Sequence, residues 1–284
     1  MVVETIIAAE RNRMSPKTPR QPSLFLPHGG GPCFFMDWTW GPADTWKATE
    51  HFLAGLAATL PAPPRALLVV SGHWEEPSFT VSTAPHPSLI FDYTGFPPHT
   101  YKLTWPAPGD PELAHQVHAL LKSAGLPAAE SPARGYDHGV FVPLKVAFPQ
   151  AQIPVVTLSL AASLDPALHI AAGRALASLR EEGILIVGSG MSFHNLRAYM
   201  HPETVDRARA FDHWLTEAVE QTATERTGEL ANWRRAPYAA FAHPREEHLI
   251  PLMVAAGAGG EAPGKRIFGD EPMGAAISAY RFDD

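Results

Sequence analysis

Short apolar runs alternate with longer amphipathic segments along this chain. The runs at 23–27, 66–71, 78–83, 153–160, 184–188 and 276–282 predict β-strands, because they are short, mostly apolar and bounded by Gly, Pro or polar residues. The longer segments predict helices at 43–60, 111–123, 139–148, 166–181, 202–223 and 246–257. Strands that alternate with helices indicate the α/β class, with one mostly parallel central sheet flanked by helices.

Two of the predicted helices begin with the same pair of residues. Asp110 precedes Pro111, and Asp165 precedes Pro166. An aspartate side chain can accept hydrogen bonds from the free N–H groups of a first helical turn, and proline fits the first position because it has no N–H to leave unpaired. We therefore expect helices to begin at Pro111 and Pro166.

Length and composition favour one domain. The chain has 284 residues, of which 45% are hydrophobic and 18% charged, and it shows no internal repeat or break in composition. Residues 1–20 predict a disordered N-terminal tail, and residues 21–284 predict a single folded domain. The Pro-rich, aromatic stretch at 84–110 predicts a lid or a binding wall, because long irregular loops in compact domains commonly carry function.

Charge and cysteine content exclude several classes of protein. A net charge of −7 without a Lys/Arg block argues against binding to nucleic acid. No apolar stretch approaches the roughly 18 residues of a membrane span, so no membrane partner is expected. Cys33 is the only cysteine, which excludes an intramolecular disulfide and fits a reducing compartment. We expect a cytoplasmic protein.

Three histidines each follow a predicted strand. His28 follows SLFLP, His73 follows ALLVVSG, and His194 follows ILIVGSG through Met-Ser-Phe. Because the carboxyl ends of parallel strands line one crevice of an open α/β sheet, we expect the three imidazoles to meet there. Imidazole is the commonest metal ligand among side chains. The pattern therefore predicts a metal site at the carboxyl ends of the strands.

Two further histidines have neighbours typical of a functional site. His248 lies at the predicted start of the last helix, after Glu246 and Glu247, and His243 lies just upstream as an alternative to it. His138 lies in GYDHG, just before the start of another predicted helix. The helix dipole alone would explain acidic residues at a helix N-terminus. The other histidines are expected at the surface or in the core: His51, His86, His99, His115, His118, His169, His201 and His213.

Signatures of other enzyme classes are absent from the sequence. There is no HExxH of the common metalloproteases, no GxSxG of the α/β-hydrolases, and no GK[ST] after the glycine run at His28. A lone buried thiol such as Cys33 is more often inert than nucleophilic. The metal site is therefore the best interpretation of the histidines.

Six motifs along the chain resemble one family of enzymes. They are FLPHGGGP, VVSGHW, FDYTGFPPHTYKLTWPAPGDPELA, GYDHGVFVPL, VGSGMSFHNL and PREEHLIPL. In this order they resemble the DODA-type (4,5-DOPA) extradiol dioxygenases, within the class III, LigB-like ring-opening enzymes. The resemblance covers about residues 22–282. It implies a LigB-like catalytic domain at 21–284 that holds one divalent metal ion and opens a catechol-type aromatic diol with O₂.

The resemblance also implies roles for individual residues. His28, His73 and His248 match the metal ligands. His194 matches a position that is the acid/base histidine of the wider group and often a fourth ligand in DODA-type members. His138 matches a histidine that touches substrate or dioxygen. The aromatic motif corresponds to the wall over the pocket, where the candidate ring-stacking residues are Tyr93, Phe96, Tyr101 and Trp105.

The ligand set leaves the identity of the metal open. Non-haem Fe(II) oxygenases usually bind iron through two histidines and one carboxylate, but the matching carboxylate position here is His248. Three or four imidazoles also suit Zn²⁺. We expect Fe(II) for catalysis, because ring opening by O₂ needs a redox-active metal, and Zn(II) is the alternative bound metal. An acidic substrate would also need a cation, for which the candidates are Arg134, Arg197, Lys102 and Arg245.

Two other functions remain open from the sequence. A zinc-dependent hydrolase could use the same histidines to activate water. A non-catalytic binding protein of the Memo type would share the fold without opening a ring. The expected partners are a small aromatic diol and O₂, and the expected oligomeric state is a monomer or a dimer.

Overall fold

One eight-stranded sheet runs through residues 19–283, the part of the chain that the computed structural model describes. The strands are β1 (Ser23–Pro27), β2 (Ala66–Glu76), β3 (Phe79–Ser82), β4 (Ala128–Ser131), β5 (Val155–Ala161), β6 (Ile184–Gly190), β7 (Lys265–Asp270) and β8 (Ile277–Phe282). Their order across the sheet is β4-β3-β5-β2-β6-β1-β8-β7.

The centre of the sheet is parallel and its edges are mixed. Strand β6 pairs in parallel with both β1 and β2, and β2 also pairs in parallel with β5. Strands β8 and β7 add to β1 as an antiparallel pair, while β3 runs antiparallel to β5 and parallel to β4. The first residues of β2 and all of β6 are buried, as their uninterrupted apolar sequences predict. The predicted α/β fold with a mostly parallel sheet is confirmed.

Helices flank the sheet. They are α1 (Lys47–Gly55), α2 (Pro111–Ser123), α3 (His138–Ala147), α4 (Pro166–Leu176), α5 (Pro202–Val219), α6 (Ala223–Ala231), α7 (Ala239–Ala242) and α8 (Ile250–Ala258). Helix α8 is buried along its whole length, where it packs on β1, β2, β6 and α4. Helix α3 packs on β2, β6 and α1. Both helices begin next to a candidate histidine, α3 at His138 and α8 two residues after His248.

The two predicted helix starts are confirmed. The Asp110 carboxylate accepts a hydrogen bond from the N–H of Leu113, and α2 begins at Pro111. The Asp165 carboxylate accepts from the N–H groups of Ala167 and Leu168, and α4 begins at Pro166.

Two strands were not predicted from the sequence. Strand β4 has the sequence AAES and β7 has KRIFGD, and both lie at the edges of the sheet with several exposed residues. An edge strand buries less surface, so its sequence lacks the apolar run that marks the central strands. All six strands that were predicted are present.

Several helix boundaries differ from the prediction, and the segment 166–181 is α-helical only to Leu176, before the 3₁₀ helix Ala177–Glu182. The segment 43–60 forms α1 only from Lys47 and ends in the 3₁₀ helix Leu56–Thr59, and 202–223 ends at Val219. The last helix begins at Ile250 rather than at 246, with Pro251 in its first turn. Proline is tolerated in the first turn and disfavoured further inside a helix, so Pro251 fixes the start of α8. Glu247 and His248 therefore lie in a turn before the helix.

The stretch 84–110 is a long irregular segment, as predicted. It contains the 3₁₀ helix Pro98–Lys102 and a single bridge between Leu89 and Tyr136. Almost all of the tail predicted at 1–20 lies outside the described residues. Within residues 19–283, no helix is both long enough and apolar enough to cross a bilayer.

Candidate metal centre

Three histidine side chains meet at the carboxyl ends of β1, β2 and β6. His28 directly follows β1, and His248 lies in the turn before α8. The His73 Nε2 atom lies 3.3 Å from Nε2 of His28 and 3.1 Å from Nε2 of His248. His28 and His248 are almost fully buried, at 2% and 4% exposed. The structure therefore brings together the three histidines that were predicted as ligands.

A bulge in β2 places His73 among the other two. Val70 pairs with Leu158 and Glu75 with Leu160, so residues 71–74 stand opposite the single residue Ser159 of β5. Extra residues in one strand bend it and redirect its side chains, and such bulges are common next to active sites. The His73 ring is turned by this bulge toward the neighbouring strands.

Glycines let the His248 turn pass close over the strand ends. A Cβ atom at Gly190 would lie 2.1 Å from the carbonyl oxygen of His248, and one at Gly72 would lie 3.0 Å from that of Glu247. The His248 carbonyl also accepts a hydrogen bond from the N–H of Met191 at 3.0 Å. The position of the His248 ring thus depends on the absence of a side chain at Gly72 and at Gly190.

Gly190→Ala is expected to destabilise the protein and to weaken its metal binding. The new methyl group cannot coexist with the His248 carbonyl, so the turn must move, at a cost of about 1–3 kcal/mol in the free energy of unfolding. Gly228→Ala in α6 is the matched control, because a Cβ there meets nothing within 4 Å. Denaturant unfolding and metal titration of both variants would measure the difference. Equal stability and affinity in the two variants would contradict this role for Gly190.

The Nδ1 atom of each ligand candidate faces an oxygen acceptor. Nδ1 of His28 lies 2.8 Å from the Gly29 carbonyl, Nδ1 of His248 lies 3.0 Å from Oε1 of Glu247, and Nδ1 of His73 lies 3.5 Å from Oδ2 of Asp92. Because a carbonyl or a carboxylate only accepts, the proton of each neutral ring belongs on Nδ1. Each Nε2 then carries a free lone pair, and these lone pairs are the ones that converge.

Burial keeps the converging rings neutral. It lowers the pKa of His28 and of His248 well below the usual value, and neighbouring histidines lower both further. Burial and the nearby His138 lower the pKa of His73 to about 3. Neutral imidazole is the form that binds a metal ion, so the three rings are ready to act as ligands at neutral pH.

The distances from the His73 Nε2 atom to the other two nitrogens fit ligation of one metal ion. Metal–imidazole bonds are about 2.0–2.1 Å long, which puts two nitrogens on one ion roughly 3.0–3.4 Å apart. The separations of 3.1 and 3.3 Å fall in this range. Among the described residues, potential ligand atoms also converge within 4.8 Å in the sets His28–His73–His138 and His194–Glu247–His248. His138, His194 and Glu247 therefore border the same centre.

His138 and His194 lie on two sides of the three-histidine cluster. The His138 ring centroid is 4.0 Å from that of His73, and Asp92 Oδ1 accepts from both its backbone N–H and its Nδ1, at 2.9 and 2.8 Å. The His194 ring stacks on His248 at 3.4 Å, and its Nδ1 lies 3.4 Å from Oε1 of Glu247. In both rings Nδ1 faces a carboxylate, so Nε2 points away from that carboxylate.

Comparison with known proteins identifies the family. Residues 23–282 match the family described as the catalytic LigB subunit of aromatic ring-opening dioxygenase. The chain belongs to the LigB family. The family predicted from the six motifs is thereby confirmed, and with it the class of dioxygenase.

Several relatives of this LigB-family chain carry dioxygenase names. A dioxygenase from Hapsidospora irregularis is 39% identical over 91% of this chain and 84% of its own length. A 4,5-DOPA dioxygenase extradiol from Portulaca grandiflora is 38% identical over 84% of this chain and 86% of its own. The crystal structure of an uncharacterised Escherichia coli K12 protein superposes with a TM-score of 0.74 at 29% identity, covering 93% of this chain and all of that one.

Three of the four predicted wall aromatics lie beside the LigB centre. The Tyr93 ring lies 5.8 Å from that of His138, and it packs on Phe96 and Tyr101 at 5.4 and 5.2 Å. The Tyr93 hydroxyl donates to the Thr100 carbonyl at 2.7 Å, which fixes the ring. Trp105 differs, because its indole packs on Tyr136 and its Nε1 donates to the Phe148 carbonyl. Trp105 is a core residue, so we leave it out of the wall.

The structure also separates His248 from its alternative, His243. His243 is fully buried away from the cluster, packed between Phe211 and Trp233, and its Nε2 faces the Ser192 carbonyl at 2.9 Å. His243 is therefore a core residue, and His248 is the histidine of this segment that belongs to the centre.

A polar network behind His73 was missed from the sequence. The Ser71 hydroxyl accepts from the His73 N–H at 3.1 Å and donates to the buried Asp137 at 2.7 Å. Arg134 donates to Asp137 at 2.7 Å and lies over the Trp74 ring. These residues hold the backbone of the bulge. Arg134 was a candidate cation for an acidic substrate, but its guanidinium is already paired with Asp137 and supports the segment that carries His73.

Proposed function

We propose that this LigB-family enzyme is an extradiol dioxygenase that opens a catechol-type ring with O₂ at an Fe(II) ion held by His28, His73 and His248. The observation that carries the proposal is the convergence of three Nε2 atoms. The Nε2 atom of His73 lies 3.1 Å from that of His248 and 3.3 Å from that of His28. The 4,5-DOPA extradiol names of the plant relatives support the reaction class. The domain at 21–284 is proposed as one catalytic unit, which the family match to 23–282 supports.

The metal is proposed as Fe(II) rather than Zn(II). When bound, iron supplies the redox chemistry that O₂ requires and a positive charge that favours the ionised diol. The three imidazoles suit either metal, but zinc has no redox chemistry of its own. In the reaction the O–O bond and one ring C–C bond beside the diol break, and both oxygen atoms enter the product. No further reductant is needed.

His194 is proposed as the acid/base residue. Its Nδ1 faces Glu247, so its Nε2 is left to accept a phenolic proton and to return it later. Its stacking on His248 places the two rings side by side, which favours a neighbour of the metal over a fourth ligand. His138 is proposed to contact the substrate or dioxygen from the other side, while Tyr93, Phe96 and Tyr101 exclude water from the ring.

Isotope labelling tests the proposed reaction. The Fe(II)-loaded protein would be given a catechol under ¹⁸O₂. The product would be reduced with borohydride at once, before its aldehyde oxygen exchanges with water, and analysed by mass spectrometry. The proposal expects two heavy atoms in the ring-opened product. An intact ring with a single heavy atom would indicate a monooxygenase, and a product with no heavy atom would indicate a hydrolase; either result would overturn the proposal.

Arg197 is proposed as the cation that receives an acidic group on the substrate. A surface pocket beside the centre is lined by His194, Asn195, Arg197, Arg245 and Glu247, among others. Arg245 is already paired with Glu75 and lies 3.4 Å from Glu247. Arg197 lines the same pocket, and the described residues provide no carboxylate partner for its guanidinium. Its charge is thus available to a ligand.

Arg197→Met is expected to raise KM for a carboxylated catechol such as protocatechuate by about 10-fold, the effect of losing one exposed charge-assisted hydrogen bond. KM for unsubstituted catechol should stay unchanged, because that substrate carries no charge for the guanidinium to meet. Steady-state oxygen uptake with both substrates measures the two values. A parallel rise for both would show that Arg197 shapes the pocket instead of binding the acid.

The remaining inferences from the sequence stay predictions. A cytoplasmic location fits the free, buried Cys33. The monomeric or dimeric state, and the absence of nucleic-acid partners, rest on the sequence. Oxygen uptake distinguishes the dioxygenase from both alternatives, the zinc hydrolase and the Memo-type binding protein.

A further inference from the structure

Two carboxylates divide four of the five histidines of the centre between them. Asp92 lies 2.8 Å from Nδ1 of His138 through Oδ1 and 3.5 Å from Nδ1 of His73 through Oδ2. Glu247 Oε1 lies 3.0 Å from Nδ1 of His248 and 3.4 Å from Nδ1 of His194. Each carboxylate therefore touches one proposed metal ligand and one proposed pocket histidine.

Both carboxylates stand on the Nδ1 side of these rings, opposite the Nε2 atoms. Asp92 lies behind His138 and His73, and Glu247 lies behind His248 and His194. The second oxygen of Glu247 lies 3.4 Å from the guanidinium of Arg245. Two acidic side chains thus lie directly behind the rings of the centre.

The proposed ligand set itself carries no charge. A divalent ion held by three neutral imidazoles would keep its full charge in a buried position, which is costly without a nearby counter-charge. In the usual two-histidine, one-carboxylate site the protein supplies a negative charge by direct ligation. Here the nearest carboxylates stand one imidazole away from the centre.

We propose that Asp92 and Glu247 are paired positioning residues. Each of them holds one ligand ring and one pocket ring through the Nδ1 proton of that ring. Together they supply the negative charge that the carboxylate ligand supplies in a two-histidine, one-carboxylate site. This inference rests on the ligand set proposed above. Each pocket histidine is thereby tied to a ligand: His138 to His73, and His194 to His248. The arrangement directs four Nε2 atoms away from the carboxylates.

Metal titration of conservative variants tests the inference. Asp92→Asn and Glu247→Gln keep the shape and an oxygen acceptor but remove the charge. Co(II) would be titrated into the metal-free full chain, with affinity measured by chelator competition and coordination read from the visible absorption spectrum. Glu246→Gln is the matched control, because the neighbouring Glu246 is paired with Arg234 instead of with a histidine.

The inference expects each variant to bind Co(II) about 10–100-fold more weakly, as is typical when the partner of a ligand histidine is lost. The double variant should bind more weakly than either single one, and all should keep the wild-type Co(II) spectrum. Glu246→Gln should stay within about 2-fold of wild type.

Two results would overturn the inference. Wild-type affinity in both variants would show that the carboxylates do not supply the charge. A changed Co(II) spectrum in Glu247→Gln would show that Glu247 is itself a ligand. Failure of the proposed function has a different signature: the wild-type protein would consume no O₂ with any catechol, while the affinities still fell in the two variants, which would support the inference on its own.

Discussion

His73→Ala is expected to abolish metal binding and ring opening together. His73 is the central residue of the cluster, since its Nε2 lies 3.3 Å from that of His28 and 3.1 Å from that of His248. Its loss would leave two imidazoles, which cannot hold the ion against water. The fall in affinity should exceed the roughly 10–100-fold typical of losing a residue behind a ligand. Metal content after dialysis and oxygen uptake measure the two effects.

His213→Ala serves as the control for His73→Ala. His213 lies on α5 with its side chain 76% exposed, so the same substitution there removes an imidazole without touching the cluster. Its metal content and turnover should equal those of wild type. Retention of one tightly bound metal ion per chain in His73→Ala would contradict the proposed ligand set.

His194→Ala has the second-largest expected effect, and it should leave the metal in place. The His194 ring stacks on that of His248, and the three proposed ligands remain after its removal. Turnover should fall by about 10²–10⁴-fold, the usual contribution of a positioned acid or base. The KM for the catechol should change much less, because binding of the diol depends on the metal.

Two measurements on the same His194→Ala sample decide its role. Normal metal content with lost turnover is the expected pair of results. Loss of the metal along with turnover would instead make His194 a fourth ligand, and unchanged turnover would remove it from the mechanism.

The strand ends of the fold could be predicted because burial leaves a clear sequence pattern. Strands β1, β2 and β6 are short apolar runs, and parallel strands bring their carboxyl ends to one edge. That rule alone placed His28 and His73 in one crevice. The edge strands β4 and β7 could not be found in this way, because their half-exposed sequences resemble those of loops.

The choice between His248 and His243 depended on a long-range contact. Both lie in one segment of the sequence, and a helix beginning at 246 would have suited either. The His248 turn reaches the strand ends because Gly72 and Gly190 leave room for its backbone. Nothing in the local sequence reports that contact, although Pro251 does mark where the helix has to begin.

The two carboxylates show what a sequence pattern cannot supply. Asp92 lies 46 residues before His138, in an irregular segment without periodicity. Glu247 has a sufficient explanation as an acidic residue near a helix N-terminus, although the turn in fact directs it to His248 and His194. Trp105 shows the converse error: its place in an aromatic motif suggested the pocket wall, but its indole N–H is used in the core.

Oxygen uptake tests the central claim most directly. Protein prepared without oxygen and loaded with Fe(II) would be given L-DOPA, catechol, protocatechuate and gallate, beside a sample loaded with Zn(II). The account predicts uptake of one O₂ per molecule of at least one diol, with a new yellow chromophore, and none with zinc. No uptake with any of the four, despite one tightly bound metal ion, would contradict the dioxygenase and favour a zinc hydrolase or a binding protein.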